Sequence, residues 1–353
     1  MSRLLEPLTL RGTTARNRAW VSPMCQYSSV DGRLGDWHLA HLGSFARGGA
    51  GLVLTEAAAV VPEGRITPYD AGLWDDAQAG DWERVVALVH AQGAAAGVQL
   101  AHAGRKASTT RPWDAPGWVA PGDGGWQPVA PSPLAFGEGP VPQELTVDGI
   151  AAVVQGFADA AARAVGAGFD AVEVHAAHGY LLHEFLSPLS NTRTDAYGGD
   201  LRGRSRALRE VVEAVRRVLP DRTALLVRVS ATDWADGGWD VDETVALSRE
   251  LAGLGVDLVD VSSGGNEPHQ RIDVGPGYQV PFARAVREGA GVPTGAVGLI
   301  TEPAQAEQVL RDGAADVVLL ARALLREPHW VLRAAQELRG GDGLVPVQYA
   351  RAY

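Results

Sequence analysis

The chain of 353 residues contains a single cysteine, Cys25. One thiol excludes a disulfide framework, and also a cysteine-based zinc or iron–sulfur site within one chain. An unpaired thiol is typical of a reducing compartment. The first residues, MSRLLEPLTLRGTTARNR, lack an apolar signal core, and no apolar run is long enough to cross a bilayer. We therefore expect a cytoplasmic protein without a membrane partner.

Acidic residues outnumber basic ones, and lysine is almost absent. The formal net charge is −11, and Lys106 is the only lysine, so nearly all basic residues are arginines. Nucleic acid and anionic lipid repel such a chain, and no basic stripe opposes that repulsion. Schiff-base chemistry has one candidate residue at most. The sequence thus predicts small molecules, rather than nucleic acid, as partners.

What the chain does contain is an alternation of short apolar runs and amphipathic segments. The runs are residues 18–24, 51–57, 96–104, 170–179, 224–231, 257–264, 293–300 and 316–323. Helices are predicted near residues 37–47, 82–89, 150–157, 208–215, 240–253, 280–288, 303–312 and 328–338. Apolar strands that alternate with helices are typical of a parallel barrel, so we predict a single (β/α)8 TIM barrel over residues 1–353. The rival fold, a doubly wound sheet, would be expected to carry a G-x-G-x-x-G dinucleotide turn after an early strand, and none occurs in the sequence.

One stretch, residues 107–145 after the third predicted strand, breaks this alternation. It is rich in proline and glycine, contains Trp113, Trp118 and Trp126, and shows no helical period. A loop this long is usually functional or disordered, and three tryptophans argue against disorder. Two compatible interpretations remain: a hairpin that covers the barrel mouth, and a lid over a flat, aromatic ligand.

In a barrel of this kind the active site lies at the C-terminal ends of the strands. Cys25 and Gln99 stand at two of these ends, although either could be an ordinary buried group. Arg228 interrupts the apolar run LLVRVSA, where a buried arginine is costly unless an anion meets it. We favour a ligand anion over a structural partner. Gly298 and Arg322 follow the last two strands, the usual phosphate site of this fold, and predict a phosphate there.

The fourth predicted strand ends in HAAHGY, which contains His175, His178 and Tyr180, and we expect an unbroken polar loop after it. A metal site is disfavoured because no other cluster supplies a third ligand. A base that activates a serine is disfavoured because no G-x-S-x-G motif accompanies it. The favoured interpretation is a pair of donors aimed at one oxygen, which polarises a carbonyl, with a phenolic proton nearby. The hydride must come from a cofactor, since no side chain supplies one.

Seven segments in one order carry a resemblance: SPMCQYSS, TEAAAVVPEGRITPYDAGLW, GVQLAHAGRKAS, FDAVEVHAAHGYLLHEFLSPLSNTRTDAYGG, VRVSATDW, TGAVGLI and PVQYARAY. Together they resemble the Old Yellow Enzyme family of FMN-dependent ene-reductases, and most of all its bacterial thermophilic-like, xenobiotic reductase branch. The likeness runs from about residue 4 to the end. It implies a barrel with non-covalent FMN, which NADPH or NADH reduces in a ping-pong cycle. Hydride then passes from flavin N5 to an activated C=C bond of an enone or nitro compound.

The resemblance also implies site residues. Flavin contacts are implied for Ser22, Pro23, Met24, Cys25, Ala57, Gln99 and Arg228, and phosphate contacts for Gly298, Ala321 and Arg322. Catalytic or substrate contacts are implied for Cys25, Tyr27, His175, His178 and Tyr180, and Tyr180 would protonate Cα. Arg351, in a tail of residues 340–353, would enter the neighbouring subunit's site, with Tyr349 or Tyr353 as aromatic walls. This implies a homodimer or homotetramer. Residues 107–145 receive no role.

Other classes of protein stay open at this point. A cofactor-free lyase or aldolase built on Lys106 would be colourless, and borohydride would inactivate it in the presence of a carbonyl substrate. A flavin sensor or store would bind FMN with negligible turnover. A dienoyl-CoA reductase-like or amine-dehydrogenase relative would need iron–sulfur cysteines and extra domains, which one cysteine and this length oppose.

Overall fold

The computed structural model describes residues 2–341 and 343–353. Its centre is a closed barrel of eight parallel strands, which confirms the predicted fold class. The barrel strands are β3 (Ala19–Val21), β4 (Leu52–Ala59), β5 (Ala95–Ala101), β8 (Ala171–Ala176), β9 (Ala224–Ser230), β10 (Leu258–Ser262), β11 (Thr294–Ala296) and β12 (Val317–Leu320). They follow one another around the barrel in chain order, and β12 pairs with β3 to close it.

Helices surround the barrel and bury their apolar faces against it. They are α1 (Asp36–Arg47), α2 (Asp76–Ala91), α3 (Val147–Gly166), α4 (Leu181–Leu186), α5 (Leu201–Arg204), α6 (Arg206–Val218), α7 (Val241–Gly253), α8 (Val280–Ala290), α9 (Pro303–Arg311), α10 (Arg322–Arg326) and α11 (Trp330–Glu337). Side-chain caps begin several of them: Asp75, Thr146 and Asp240 each accept a hydrogen bond from the backbone N–H three residues on. No helix of the described ranges is long and apolar enough to cross a bilayer.

A short antiparallel hairpin closes the lower end of the barrel. Its strands are β1 (Leu8–Leu10) and β2 (Thr13–Ala15). Leu10 and Ala15 belong to the same apolar cluster as Trp20, Leu226 and Leu319 from the barrel strands. This cluster fills the barrel interior at the end where the strands begin.

Residues 107–145, called the cap below, form a compact excursion and not a single hairpin. Two short strands, β6 (Val129–Ala130) and β7 (Gln143–Glu144), pair in parallel, and a separate antiparallel bridge joins Thr109 to Trp118. A 3-10 turn spans Pro121–Asp123. The sequence could not show this pairing because each strand is only two residues long.

The stretch after HAAHGY is also more regular than the loop that we expected. Leu181–Leu186 is the helix α4, and all six of its residues are buried. Hydrogen bonds within the following segment stabilise it, because Asn191 Nδ2 donates to the carbonyls of Phe185 and Tyr197 at 2.7 and 2.8 Å. The expectation of an unbroken loop after residue 180 was therefore wrong. A single helical turn that is buried on every side shows no amphipathic period.

Candidate active site

Side chains that alternate along neighbouring strands place a polar layer inside the barrel. Gln99 on β5 lies in register with Glu173 on β8, and Arg228 on β9 lies in register with His175 and Asp260. Successive residues of a strand point to opposite faces, so the inward positions of these strands carry polar groups at one height. This layer lies above the apolar cluster that fills the lower barrel.

The polar layer contains two buried carboxyl groups and one guanidinium. Gln99 Nε2 donates to Glu173 Oε1 at 2.8 Å, and Arg228 Nε lies 3.0 Å from Asp260 Oδ2. Burial, and then the charge of Asp260, raise the pKa of Glu173 to about 8, although Arg228 and Gln99 oppose the shift. The structure thus gives Arg228 the structural partner that we had favoured less. Its Nε still lacks a well-directed hydrogen bond among the described residues.

The histidine turn, residues 175–180, lies directly above this layer. The rings of His175 and His178 meet edge to face with centroids 5.3 Å apart, and those of His175 and Tyr180 are 5.1 Å apart. His178 adopts a left-handed backbone with φ 59°, and its ring Nε2 lies 2.7 Å from Ser262 Oγ. The buried Nδ1 of His175 has no partner within the described part of the chain. The three predicted side chains are therefore brought together.

The environment keeps these three groups in their neutral forms. Burial, and then the charge of Arg228, hold the pKa of His175 and of His178 well below the ordinary value. Burial raises the pKa of Tyr180 well above that of a free phenol, and Cys25 and Tyr27 add to the shift. Each imidazole therefore carries one N–H, and the tyrosine keeps its O–H at neutral pH.

A second buried pair supports the turn from behind. The backbone N–H of Gly179 donates to His183 Nδ1 at 2.9 Å, so the proton of that ring sits on Nε2, which lies 3.0 Å from Asp233 Oδ1. Gly179 has φ 70°, and a Cβ there would lie 2.2 Å from the carbonyl oxygen of Gly265. Only glycine fits this close approach, which explains the G of HAAHGY.

The end of β3 carries Cys25 and Tyr27 into the same region. The backbone N–H of Gln26 donates to Glu56 Oε2 at 2.9 Å, and Glu56 Oε1 lies 3.2 Å from His38 Nε2. Burial, and then the charge of Asp70, raise the pKa of the Cys25 thiol well above its ordinary value. Cys25 is therefore a neutral thiol at neutral pH. The His38–Glu56 pair leaves no signal in the sequence, because the two residues share no local motif.

A pocket of about 210 Å³ occupies the predicted phosphate site. It is lined by residues of the loops after β11 and β12, including Gly298, Ala321, Arg322 and Arg326. Gly298 has φ 116°, and a Cβ there would lie 2.8 Å from Nε2 of Gln279, another residue that lines the pocket. Arg322 begins α10 and is exposed at the rim. The pocket has the size and the cation that a phosphate requires.

The rest of the predicted flavin contacts stand at neighbouring strand ends. Ala57 lies in register with Gln99, and Met24 packs against the core. Ser22 Oγ is buried without a partner in the described residues, as are Arg228 Nε and His175 Nδ1. Unsatisfied buried polar atoms are costly, so a ligand that supplies their partners is expected. These unpartnered groups and the phosphate-sized pocket therefore fit a ligand such as FMN.

A wider cavity of about 580 Å³ opens between the histidine turn and the cap. Lys106, Phe136 and Tyr180 line it, together with Trp118. A larger cleft of about 780 Å³ lies elsewhere, among charged residues from Asp195 to Glu213. We assign that cleft no chemistry, because it is an open, charged surface away from the strand ends. The described residues contain no cluster of three or more His, Cys, Asp or Glu side chains arranged for a metal.

Arg351, which the resemblance places in a neighbouring subunit's site, belongs to the C-terminal tail. Arg351 and Tyr353 are exposed, and Tyr349 packs against His329 with centroids 5.6 Å apart. The tail thus rests near the start of α11. Its entry into a neighbouring subunit's site stays a prediction.

A parallel barrel with a phosphate-sized pocket and buried donors at one rim defines the class of cofactor-dependent barrel enzymes. Within this class, the profile of the NADH:flavin oxidoreductase / NADH oxidase family matches residues 3–340, and the chain belongs to that family. It is similar to the NADPH dehydrogenase of Geobacillus thermodenitrificans, with 49% identity over 353 residues that cover 99% of this chain and 98% of that protein.

Solved structures agree with this assignment. Morphinone reductase in complex with tetrahydroNAD superposes with a TM-score of 0.78 and 30% identity, over 95% of this chain and 90% of that chain. An Old Yellow Enzyme homologue from Zymomonas mobilis gives a TM-score of 0.79 and 26% identity, over 95% and 92%. The predicted family, the oxidoreductase class, the FMN cofactor and the nicotinamide reductant are thereby confirmed.

Proposed function

We propose that this protein is an ene-reductase that uses NADPH or NADH to reduce C=C bonds activated by a carbonyl or nitro group. The observation that carries the proposal is the cluster of His175, His178 and Tyr180 above the polar layer of the barrel. A site that needs only to pass electrons to a soluble acceptor has no use for two donors and a neutral phenol at one point. A site that must activate an oxygen and protonate a carbon needs all three.

Bound FMN supplies the hydride. Its ring would be held by the strand-end residues Ser22, Pro23, Met24, Cys25, Ala57, Gln99 and Arg228, and its phosphate by Gly298, Ala321 and Arg322. Two features support this arrangement. Arg228 offers a cation inside the barrel, and the pocket lined by Gly298 has the size of a phosphate. Cys25 and Tyr27 would contact both the ring and the substrate.

The protein's own residues activate the substrate. Its oxygen would accept hydrogen bonds from His175 and His178, which are neutral donors because burial and Arg228 depress their pKa values. These bonds strengthen as negative charge develops on the oxygen, so they lower the barrier. Tyr180 would then give its proton to Cα, and its raised pKa keeps that proton in place until then.

The proposal includes a homo-oligomer in which Arg351 of one subunit completes the site of its neighbour. The exposed tail with its adjacent tyrosines supports this part, since nothing in the described residues ties Arg351 to its own barrel mouth. The aldolase alternative receives little support, because Lys106 Nζ already donates to a backbone carbonyl at 2.8 Å.

An anaerobic absorption spectrum of the purified protein tests the proposal. We expect a flavin band that bleaches with NADPH or NADH and returns when 2-cyclohexenone is added. A band that bleaches but does not return with any enone or nitroalkene would refute the ene-reductase activity and favour a flavin store or a different acceptor. A colourless protein that gains no band with FMN would refute the flavin site itself.

A further inference from the structure

Lys106 joins two turns of the active site. It ends a 3-10 turn, Gly104–Lys106, directly after β5. Its Nζ donates to the carbonyl oxygen of His178 at 2.8 Å and to that of Gly265. Both acceptor residues have left-handed backbones, with φ 59° at His178 and 95° at Gly265. For a histidine that conformation costs about 1 kcal/mol or more, so a fixed partner is needed to hold it.

The same ammonium group faces two aromatic rings. Nζ lies 4.2 Å from the ring centroid of Phe136 in the cap and 5.5 Å from that of Tyr180. An ammonium has three N–H donors, and the two carbonyls use two of them. The third is left for the rings and for the cavity that Lys106, Phe136 and Tyr180 line. A cation in this position is attracted to a phenol ring, and more strongly to a phenolate.

Lys106 is cationic at neutral pH, although burial brings its pKa down to about 8. The titratable and charged groups that face it are Glu184 on α4, Glu267 after β10, Arg105 beside it, and His175 and His178 on the histidine turn. Burial lowers the pKa of Lys106 to about 8, and Glu184 and Glu267 oppose the shift. The charge is therefore present at pH 7 and is lost as the pH rises through about 8.

We propose that Lys106 is a positioning residue for proton donation by Tyr180, a role that rests on the proposed function. Its ammonium holds the histidine turn in place and stabilises the tyrosinate formed in the reaction. In that step the Tyr180 O–H bond breaks, the proton forms the new C–H bond at Cα, and the electron pair stays on the phenol oxygen. Water returns the proton to Tyr180 before the next turnover, so Lys106 is not consumed.

Three variants separate this role from simple support of the fold. Lys106→Met removes the charge, and Lys106→Arg keeps it at every accessible pH. Arg65→Met is the matched control, because Arg65 also donates to two backbone carbonyls and stacks on two rings, those of Trp74 and Trp126, away from the histidine turn. The measurement is the rate at which 2-cyclohexenone reoxidises the reduced holoenzyme between about pH 6 and about pH 10.

We expect the wild-type rate to fall above about pH 8. Lys106→Met should be slower by about tenfold or more at neutral pH and should lack this decline. Lys106→Arg should recover part of the rate and stay level to about pH 10, since arginine does not titrate there. Arg65→Met should follow the wild type. A Lys106→Met enzyme with the wild-type rate and pH profile would overturn the role of Lys106.

A measurement without turnover completes the test. Lys106 is the only lysine, so protein grown with 15N-lysine gives one lysine side-chain signal. That signal should titrate near pH 8 and should lose its aromatic shift in Phe136→Leu. An unshifted, freely exposed amine would refute the contact itself. A wild-type enzyme that no activated alkene reoxidises would instead refute the proposed function, and the assignment to Lys106 would fall with it.

Discussion

The histidine turn and the cap face each other across one cavity, but they are held in opposite ways. The barrel fixes the turn. The His178 N–H donates to Ser230 Oγ, and the His178 ring contacts Ser262 Oγ. Lys106 donates to the His178 carbonyl, and the Gly179 N–H donates to His183. The cap is tied mainly to neighbouring loops. The Thr109 N–H donates to the carbonyl of Ile66 at 2.8 Å, and Trp126 Nε1 donates to that of Glu63 at 2.7 Å. Arg193 Nη1 donates to the carbonyl of Pro131 at 2.9 Å. Arg111 lies over the rings of Tyr69 and Trp113 at 4.3 and 5.5 Å, and Trp113 itself is 62% exposed.

This difference separates the reaction from the choice of substrate. In the proposed reaction, the groups that contact the substrate oxygen and carbon are attached to strand ends, whose positions the whole barrel determines. Groups that border only the outer cavity are attached to a loop, which can change without disturbing the barrel. Changes in the turn should therefore alter rates of chemical steps, whereas changes in the cap should alter binding.

The largest effect is expected from Tyr180→Phe. Loss of the proton donor should slow reoxidation of the reduced flavin by an enone about 10²-fold or more, while reduction by NADPH stays nearly unchanged. Anaerobic stopped-flow measurements of the two half-reactions give both rates. Tyr197→Phe is the control, because that phenol donates to Glu210 outside the site. Equal losses in both half-reactions would contradict a role in proton donation.

The buried Glu184 beneath the histidine turn should make the stability of the fold depend on pH. Glu184 is fully buried, accepts a bond from the Arg105 N–H at 2.8 Å, and has its pKa raised by burial to about 8 from an ordinary 4.5. The folded protein keeps a proton that the unfolded chain releases, so stability falls as the pH rises between about 4.5 and about 8. Glu184→Gln should flatten this dependence by on the order of 5 kcal/mol.

Urea unfolding at several pH values within that window measures this effect. Glu210→Gln is a suitable control, since that carboxyl is partly exposed on α6 and bonds the surface residue Arg206. If wild type and Glu184→Gln lose stability in parallel as the pH rises, Glu184 is not the protonated group.

The sequence predicted the turn better than the cap, for physical reasons. Strands buried on both faces leave long apolar runs, and the polar residues His175, His178 and Tyr180 stand out where one such run ends. Asp260 could have been found in the same way, as an acid inside the apolar run DLVDVSSG. The pairing of β6 with β7 left no such pattern, because two-residue strands have no period. Likewise α4 is buried all round, and His38 meets Glu56 only through tertiary packing.

A smaller effect is expected from Trp113→Leu in the cap. Trp113 meets the ring of Tyr27 edge-on at 5.8 Å. Its loss should leave Tyr27 less well placed against the substrate, so KM for an enone should rise about fivefold with kcat little changed. The midpoint of thermal unfolding should hardly move, because the side chain is mostly exposed. A large loss of kcat with unchanged KM would contradict the assignment of rates to the turn and of binding to the cap.

The smallest effect is expected from Arg351→Ala in the tail. If subunits share sites, loss of this exposed cation should weaken substrate or nicotinamide binding only a few-fold. Binding titrations, with sedimentation to give the oligomeric state, measure it. Unaltered binding, or a protein that sediments as a monomer, would contradict the shared site.

The positions of the sole cysteine and the sole lysine have a practical consequence. Cys25 follows β3 and Lys106 follows β5, so both stand at the rim where the barrel strands end. The outer surface therefore offers no lysine for amine-reactive supports and no thiol for maleimide dyes. A single engineered cysteine or lysine on an outer helix would give immobilisation in one chosen orientation, with the barrel mouth left open to solvent.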